Sequence, residues 1–337
     1  MPLNYKSYNY CLDFVKGLAC IFVVWMHCEF PGRTGVYVQA ISRFCVPFFF
    51  MVSGYFMQKV SDPLFLTAES GKRVVNRKVT HIFKITFWAS IFYLLWTVVR
   101  NHFWPGNGHG KSSTVLSWLV FNDTSPIAGH LWFLFALLYD YILVCLFDSR
   151  RIYKYRYLIA SACFVLLFVL GQGLHLAGIR IPNYYYRNWL VEGFAFFTLG
   201  RWIKENKDRI NWSNTLLILI IVVSSLLSIV ERRFMGRDFG VNFCTMPQVF
   251  ALFIYAVKNP QRHEGLVQRL GKDCSTMVYI IHIFVWRVLA LIYKAVGLSD
   301  NLPALYLLPI LVVIFSILLS LLFNRVVALF KKQPAAA

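Results

Sequence analysis

The chain has 337 residues, of which 58% are hydrophobic and 18% aromatic, and its formal net charge at pH 7 is +19. A soluble domain of this size is usually about 45–50% apolar, so the composition excludes an ordinary soluble enzyme and indicates a polytopic membrane protein. Nucleic-acid binding is excluded as well, because the basic residues lie between apolar runs and form no stripe with base-stacking aromatics.

Ten apolar segments alternate with polar loops and are interpreted as membrane helices, although the eighth is short. They lie at about 11–30, 41–58, 82–100, 131–147, 157–176, 186–203, 213–231, 243–257, 275–295 and 303–330. We predict an all-α, polytopic integral membrane protein with about ten transmembrane helices, in which residues 1–333 form one domain. The final Pro-Ala-Ala-Ala, residues 334–337, is expected to be a tag remnant.

The positions of the basic residues predict the orientation of these segments. If the N-terminus is cytoplasmic, about two thirds of the 34 lysines and arginines fall on the cytoplasmic side, as the positive-inside rule requires. An even number of spans then places both termini in the cytoplasm. The basic loops would face anionic lipid headgroups.

The first segment carries three ionisable residues, Asp13, Lys16 and His27. At 100° per residue, the eleven positions from Lys16 to His27 turn about 20° past three full turns, so both side chains leave the same helix face. Asp13, three residues before Lys16, joins that face. Charged groups in a spanning helix are costly, so this face is a candidate functional site. In the alternative, Lys16 reaches the interface with Asp13 as its partner, and His27 lies in headgroup water.

The second segment contains Ser53-Gly54, and a basic loop precedes the third segment. The Ser-Gly pair either lets neighbouring helices approach closely, or Ser53 donates to an acyl carbonyl. In the basic loop, Arg73 and Arg77 are four residues apart and would project together from a helix, beside Lys72. The loop is either a topology signal or a cytoplasmic polyphosphate site.

Further candidate residues lie in the later segments and outer loops. His130 and Trp132 open the fourth segment, where an aromatic belt explains Trp132, so His130 is the more informative residue. His282 lies inside the ninth segment, where partnership with the interior polar residues is favoured. After the seventh segment comes an outer cluster, for which an anionic ligand and internal pairing are equally good explanations; it consists of Glu231, Arg232, Arg233, Arg237 and Asp238.

Several kinds of site are not indicated by the sequence. The eight cysteines are scattered without a CxxC pair or metal-ligand spacing, so no metal site is expected. No P-loop, dinucleotide fingerprint or serine nucleophile elbow is present.

Four motifs in order resemble acyltransferase family 3, a family of integral-membrane O-acyltransferases of bacterial glycans and glycolipids. That family is marked by Arg or Lys, ten residues and then His in the first span, which Lys16 and His27 match. The chain is similar also in Phe49-x-x-x-Ser53-Gly54, in His-Leu-Trp-Phe-Leu at 130–134, and in Tyr279-x-x-His282.

The resemblance implies a multi-pass enzyme of the bacterial cytoplasmic (inner) membrane. Its co-substrate would be a cytoplasmic acyl-CoA, commonly acetyl-CoA, with no metal, and its acceptor a hydroxyl of an outer glycan or glycolipid. His27 would be catalytic with Lys16 and, on the outer side, Glu231. The donor would be bound by Lys16, Lys72, Arg73, Arg77 and Ser53. The acceptor would be bound by His130, Trp132, Arg232, Arg233 and His282.

One departure from the family pattern and two alternative functions accompany this hypothesis. The family often has Arg-x-x-Arg in the basic loop, whereas this chain has Arg73-x-x-x-Arg77. A transporter or flippase of a lipid-linked sugar or anionic solute would use the same polar face as a substrate path. A non-catalytic scaffold or sensor would have no use for three ionisable residues on one face.

Overall fold

The computed structural model describes residues 8–57, 69–103, 115–147, 154–260 and 263–332. These residues form helices joined by short loops, and no strand occurs among them, which confirms the predicted all-α class. The expected tag remnant at 334–337 lies outside the described residues. The main helices are α1 (Tyr10–His27), α2 (Gly32–Ser42), α3 (Cys45–Met57), α4 (Glu69–Phe103), α5 (Val115–Phe121), α6 (Trp132–Phe147), α7 (Arg156–Phe168), α8 (Ala195–Asn206), α9 (Asn214–Met235), α10 (Thr245–Lys258), α11 (Ser275–Ala295) and α12 (Leu302–Lys332).

Short helical turns extend or join several of these helices. The π-helical turn Val169–Gly173 and the helical Leu174–Leu176 continue α7, and the π-helical turn Trp189–Phe194 leads into α8. Helical Leu266–Arg269 and π-helical Leu270–Cys274 lead into α11. Isolated 3-10 turns occur at Gly129–Leu131, Asn183–Tyr185 and Lys207–Arg209.

Seven helical stretches among the described residues are long and apolar enough to cross a membrane, which confirms a multi-pass membrane protein. All ten predicted segments coincide with helices. Three of them, at 131–147, 186–203 and 243–257, form the shorter helices α6, α8 and α10, of 16, 12 and 14 residues. The count of ten spans therefore stays a prediction.

The chain folds as two compact units. Unit 1 comprises Met1–Val46 and Trp212–Ala337, and unit 2 comprises Pro47–Asn211. Unit 2 is thus inserted within the sequence of unit 1. A single domain over residues 1–333 stays a prediction.

Hydrogen bonds at the two ends of unit 1 show how its helices run. At one end, Asn9 donates to the carbonyl of Ala256, and Asn324 donates to the carbonyl of Asp273. At the opposite end, Glu231 accepts from the amide of Phe243, and Tyr306 donates to the carbonyl of Pro31. Helices α1, α9 and α11 therefore run in one direction, while α10 and α12 run in the other. The start of α1 and the last turns of α12 lie at the same end, as the predicted topology requires; its cytoplasmic location stays a prediction.

Two glycines bring α1 against the residues that lead into α11. A Cβ on Gly271 would overlap the backbone carbonyl oxygen of Asp13, and a Cβ on Gly17 would overlap that of Val267. Small residues at a helix interface allow such close backbone approach, which is how membrane helices gain packing energy without a solvent-driven term. Beyond this contact, a buried apolar cluster continues the interface; it includes Cys20, Val24, Cys28, Val278, Ile281 and Val285.

In unit 2, α3 and α8 meet in the same way. A Cβ on Gly54 would overlap the carbonyl oxygen of Phe197, and a Cβ on Gly200 would overlap that of Met51. The close-approach interpretation of the Ser53-Gly54 pair is therefore confirmed.

The contact at Gly271 leads to a stability prediction. Gly271→Ala is expected to lower the melting temperature of the purified protein, because overpacking of this kind costs about 1–3 kcal/mol. The matched control is Gly173→Ala, whose added Cβ would lie at an ordinary 3.5 Å from the carbonyl oxygen of Phe168. Thermal unfolding in detergent measures both. Equal melting of the two variants would contradict the tight α1 contact.

Candidate functional site

Two histidines meet inside unit 1. His27 is the last residue of α1, and its ring centroid lies 5.2 Å from that of His282 in α11, with the ring planes tilted by 42°. His282 is fully buried, and its Nδ1 lies 3.1 Å from the carbonyl oxygen of Val278. Because a carbonyl oxygen only accepts, this bond places the proton of a neutral ring on Nδ1 and makes Nε2 the basic nitrogen.

The third aromatic side chain at this place is Tyr279. Its ring centroid lies 6.1 Å from that of His282, and the ring is almost completely buried. Residues three apart share a helix face, so the Tyr279-x-x-His282 motif places both rings on one face of α11. His27, His282 and Tyr279 together form what we call the imidazole site.

The start of α1 holds the predicted cation. Asn9 caps the helix, since its side chain accepts from the amides of Cys11 and Leu12. One turn later, Lys16 Nζ lies 3.0 Å from Oδ1 of the buried Asp13, and the Lys16 side chain keeps 21% of its exposure. The ion pair in the alternative interpretation of this segment is therefore present.

The face of α1 between Lys16 and His27 is not polar. Cys20 and Val23 occupy it, and both are buried. Lys16 and His27 are separated along the helix axis by about 16 Å. The predicted polar face of α1 thus has polar residues at its two ends and apolar residues between them.

A basic face lies on α4 in unit 2. The helix has 35 residues and a length of about 52 Å, which exceeds a hydrocarbon core of about 30 Å, so part of it extends beyond the apolar layer. Lys72 and Arg73 lie in its first turns, with side chains outside the described part of the chain. Arg77, His81 and Lys84 are exposed along one face and line an open depression of about 530 Å³. The stretch that contains Arg73 and Arg77 is helical, as the prediction that they project from one face requires.

The other predicted residues of unit 2 are engaged in local contacts. Ser53 Oγ donates to the carbonyl of Phe49 at 2.9 Å, a bond within its own helix. The buried ring of His130 meets the ring of Tyr93 edge-on at 4.8 Å. Trp132 is buried, and the guanidinium of Arg187 lies 4.6 Å from its ring centroid.

In unit 1, the outer acidic residues have partners other than the outer arginines. Glu231 accepts from the amide of Phe243 at 2.7 Å and from that of Cys244 at 2.9 Å. Asp238 pairs with Arg43, a residue that the sequence did not single out. Arg232 and Arg233 lie in the last turn of α9, and Arg233 is exposed. Neither arginine forms an ion pair within the described part of the chain, and the anionic-ligand hypothesis for them stays open.

The predicted residues are divided between the two units. Unit 1 contains Asp13, Lys16, His27, Glu231, Arg232, Arg233 and His282, and unit 2 contains Ser53, Lys72, Arg73, Arg77, His130 and Trp132.

A family model described as an acyltransferase domain matches residues 9–325. The chain belongs to acyltransferase family 3. No match is found among curated proteins or among solved structures. The predicted resemblance is therefore confirmed over nearly the whole chain, and the match covers all of unit 2 and most of unit 1. Family membership identifies the protein as a membrane acyltransferase.

The acyltransferase domain also contains buried polar residues that the sequence analysis missed. Asp140 in α6 is fully buried, and neither of its carboxylate oxygens has a hydrogen-bond partner among the described residues. Glu192 and Gln172 are buried in the two π-helical turns of unit 2. The sequence could have indicated Asp140, because it is the one charged residue in the apolar segment 131–147.

The bonds of Glu231 generate a prediction that separates support from catalysis. Glu231→Gln removes one of two acceptors for the loop before α10, so unfolding should become easier by about 1–3 kcal/mol. Asp300→Asn, in an exposed loop of the same unit, should melt like the wild type. Acyl transfer measured well below the melting temperature should be retained. A variant with unchanged melting and lost activity would instead place Glu231 on the reacting atoms.

Proposed function

We propose that this acyltransferase moves an acyl group, in the first instance acetyl, from cytoplasmic acyl-CoA to a hydroxyl of a cell-envelope glycan or glycolipid in the bacterial inner membrane. The observation that carries the proposal is the imidazole site, in which His27 meets the buried His282 at 5.2 Å in a member of acyltransferase family 3. The site needs no metal in this scheme, since its imidazoles supply the base.

His27 is proposed as the general base. Its imidazole takes the proton of the acceptor hydroxyl as the oxygen attacks the thioester carbonyl carbon. The new C–O bond forms, the C–S bond breaks, and the CoA thiolate leaves with the proton from His27. His282 acts as a positioning residue, because its bond to Val278 fixes its tautomer and its ring lies against His27. General acid–base catalysis of this kind contributes about 10²–10⁴-fold.

The donor is proposed to be bound by cations at two places. Lys16, held by Asp13 at 3.0 Å, has an ammonium group that can donate to the carbonyl or phosphate oxygens of the donor substrate. The basic face of α4, with Arg77 and Lys84, presents exposed charges to the CoA phosphates, together with Lys72 and Arg73 in the preceding turns.

In unit 1, Arg232 and Arg233 are proposed to bind the acceptor. In unit 2, His130 and Trp132 are proposed as acceptor-binding residues. Glu231 supports the unit 1 residues indirectly, because both of its oxygens bind the backbone ahead of α10. Ser53 contributes to the helix contact at Gly54, and its hydroxyl is already bonded to Phe49.

The base assignment predicts the effect of removing the imidazole. His27→Ala should lower kcat for acyl transfer about 10²–10⁴-fold without changing the melting temperature. His263→Ala, which removes an exposed histidine from a loop of the same unit, is the matched control and should keep full activity. Release of CoA from labelled acetyl-CoA with a glycan acceptor measures both. Near-normal transfer by His27→Ala would overturn the assignment.

The basic face predicts a separate effect on donor binding. Arg77→Ala with Lys84→Ala should raise KM for acetyl-CoA about tenfold with kcat nearly unchanged, since hydrogen bonds to charged groups are lost. Raising the ionic strength should weaken donor binding by the wild type more than by the double variant. Arg180→Ala removes an exposed arginine elsewhere in unit 2 and serves as the control. An unchanged KM would leave this face as a topology signal.

A further inference from the structure

A cavity of about 330 Å³ lies in unit 2, in the loops before α6 and before the π-helical turn Trp189–Phe194. Its lining includes Asp123, Ser125, Trp132, Asn183, Tyr184 and Arg187. Ligand pockets usually measure about 300–1,000 Å³ and combine apolar surface with a few polar groups, which this cavity also does. In the predicted topology these loops lie outside the cell.

The cavity is held in shape by hydrogen bonds between its two loops. Asn122 connects them, since its Nδ2 donates to the carbonyl of Trp132 at 3.0 Å and its Oδ1 accepts from the amide of Trp189 at 2.9 Å. The indole of Trp189 donates to the carbonyl of Val120 at 2.8 Å. Asn122 adopts a left-handed φ of +46°, which asparagine tolerates better than most residues. The walls are therefore preorganised for a ligand.

The second loop is held by Asn188. Its Nδ2 donates to the carbonyls of Tyr184 and Tyr185, and its Oδ1 accepts from the amides of Leu190 and Val191. This double capping fixes the turn that carries Asn183 and Arg187. Binding a ligand to such a turn requires little ordering of the chain, which favours affinity.

The charged groups of the lining balance each other. Asp123 supplies one carboxylate and Arg187 one guanidinium, so the cavity has no net charge in a chain whose total is +19. Of the two carboxylate oxygens of Asp123, only Oδ1 has a hydrogen-bond partner among the described residues, and that partner is Ser125. The guanidinium of Arg187 lies over the ring of Trp132. The Asp123 carboxylate opposes the attraction of Arg187 for a phosphate or other anion, so the cavity does not favour an anionic ligand. A neutral ligand with many hydroxyls can donate to the carboxylate and accept from the guanidinium and amide groups.

We propose that this cavity binds a neutral sugar unit of the acceptor. The inference rests on the proposed function and adds to it the place in unit 2 where the glycan is recognised. Asp123, Asn183 and Arg187 bind the sugar hydroxyls, and the rings of Trp132 and Tyr184 form the apolar wall. The cavity serves recognition, while proton transfer remains with the imidazole site.

The test measures sugar binding without requiring catalysis. The full-length protein is placed in nanodiscs of phosphatidylcholine and mixed with the methyl glycosides of glucose, galactose, mannose and N-acetylglucosamine. Saturation-transfer NMR on these sugars should show binding of at least one by the wild type. Asp123→Asn with Asn183→Ala should weaken that binding about tenfold, as loss of a hydrogen bond to a charged group predicts.

A matched pair of substitutions controls for composition. Asp208→Asn with Asn211→Ala changes the same residue types at exposed positions of unit 2 outside the cavity, and it should bind the sugars like the wild type. Unchanged KM for acetyl-CoA in both double variants shows that the fold is retained. Asp123→Asn keeps the Oδ1 acceptor for Ser125, so the loop itself should persist.

Three results would overturn the proposal: no saturation transfer to any of the four glycosides, wild-type binding by the cavity variant, or displacement of the bound sugar by inorganic phosphate at equal concentration. The fate of the bound sugar separates this inference from the proposed function. Sugar binding without acylation from labelled acetyl-CoA would refute the transferase and leave the cavity in place. Acylation with equal acceptor KM in the wild type and the cavity variant would refute the cavity alone.

Discussion

The chemistry of unit 1 depends on how closely α1 approaches the residues that lead into α11. Gly17 and Gly271 have no side chains, so backbone meets backbone and no lipid tail can enter between the helices. That contact sets the axial register of the two helices. The register continues through Cys20 beside Ser275 and ends with His27 against His282. The imidazole site is thus a consequence of the glycine contact, which lies more than two helical turns away from it.

Polar side chains in the apolar helices divide into two groups by their partners. Thr86, Ser224 and Ser228 each donate to the carbonyl four residues earlier, so a bond within their own helix satisfies the hydroxyl. Such residues are tolerated in a bilayer at small cost. Groups that need a partner from elsewhere in the fold, such as His27 with His282, carry more information about function, because hydrocarbon offers no water as a substitute.

The charge of the protein is distributed according to what each surface faces. The exposed face of α4 carries Arg77, His81 and Lys84, which suits a polyanionic donor and anionic lipid headgroups. The cavity in unit 2 balances Asp123 against Arg187, which suits a neutral polyol. In the proposed function, the basic face and the cavity would therefore bind two chemically different substrates at separate places.

The sequence by itself determined the all-α membrane class, the helical segments and the positions of Lys16 and His27 on one helix face, because hydrophobicity and helical periodicity are local properties. Four spaced motifs were enough to predict the acyltransferase family. Only the tertiary structure decided that His27 meets His282, that Glu231 binds backbone amides, and that Asp238 pairs with Arg43. It also revealed that the face between Lys16 and His27 is closed by apolar side chains. These contacts join residues up to 255 positions apart, as Cys20 and Ser275 show. Local pattern carries no information about them, since they follow from which helices pack together and in what register.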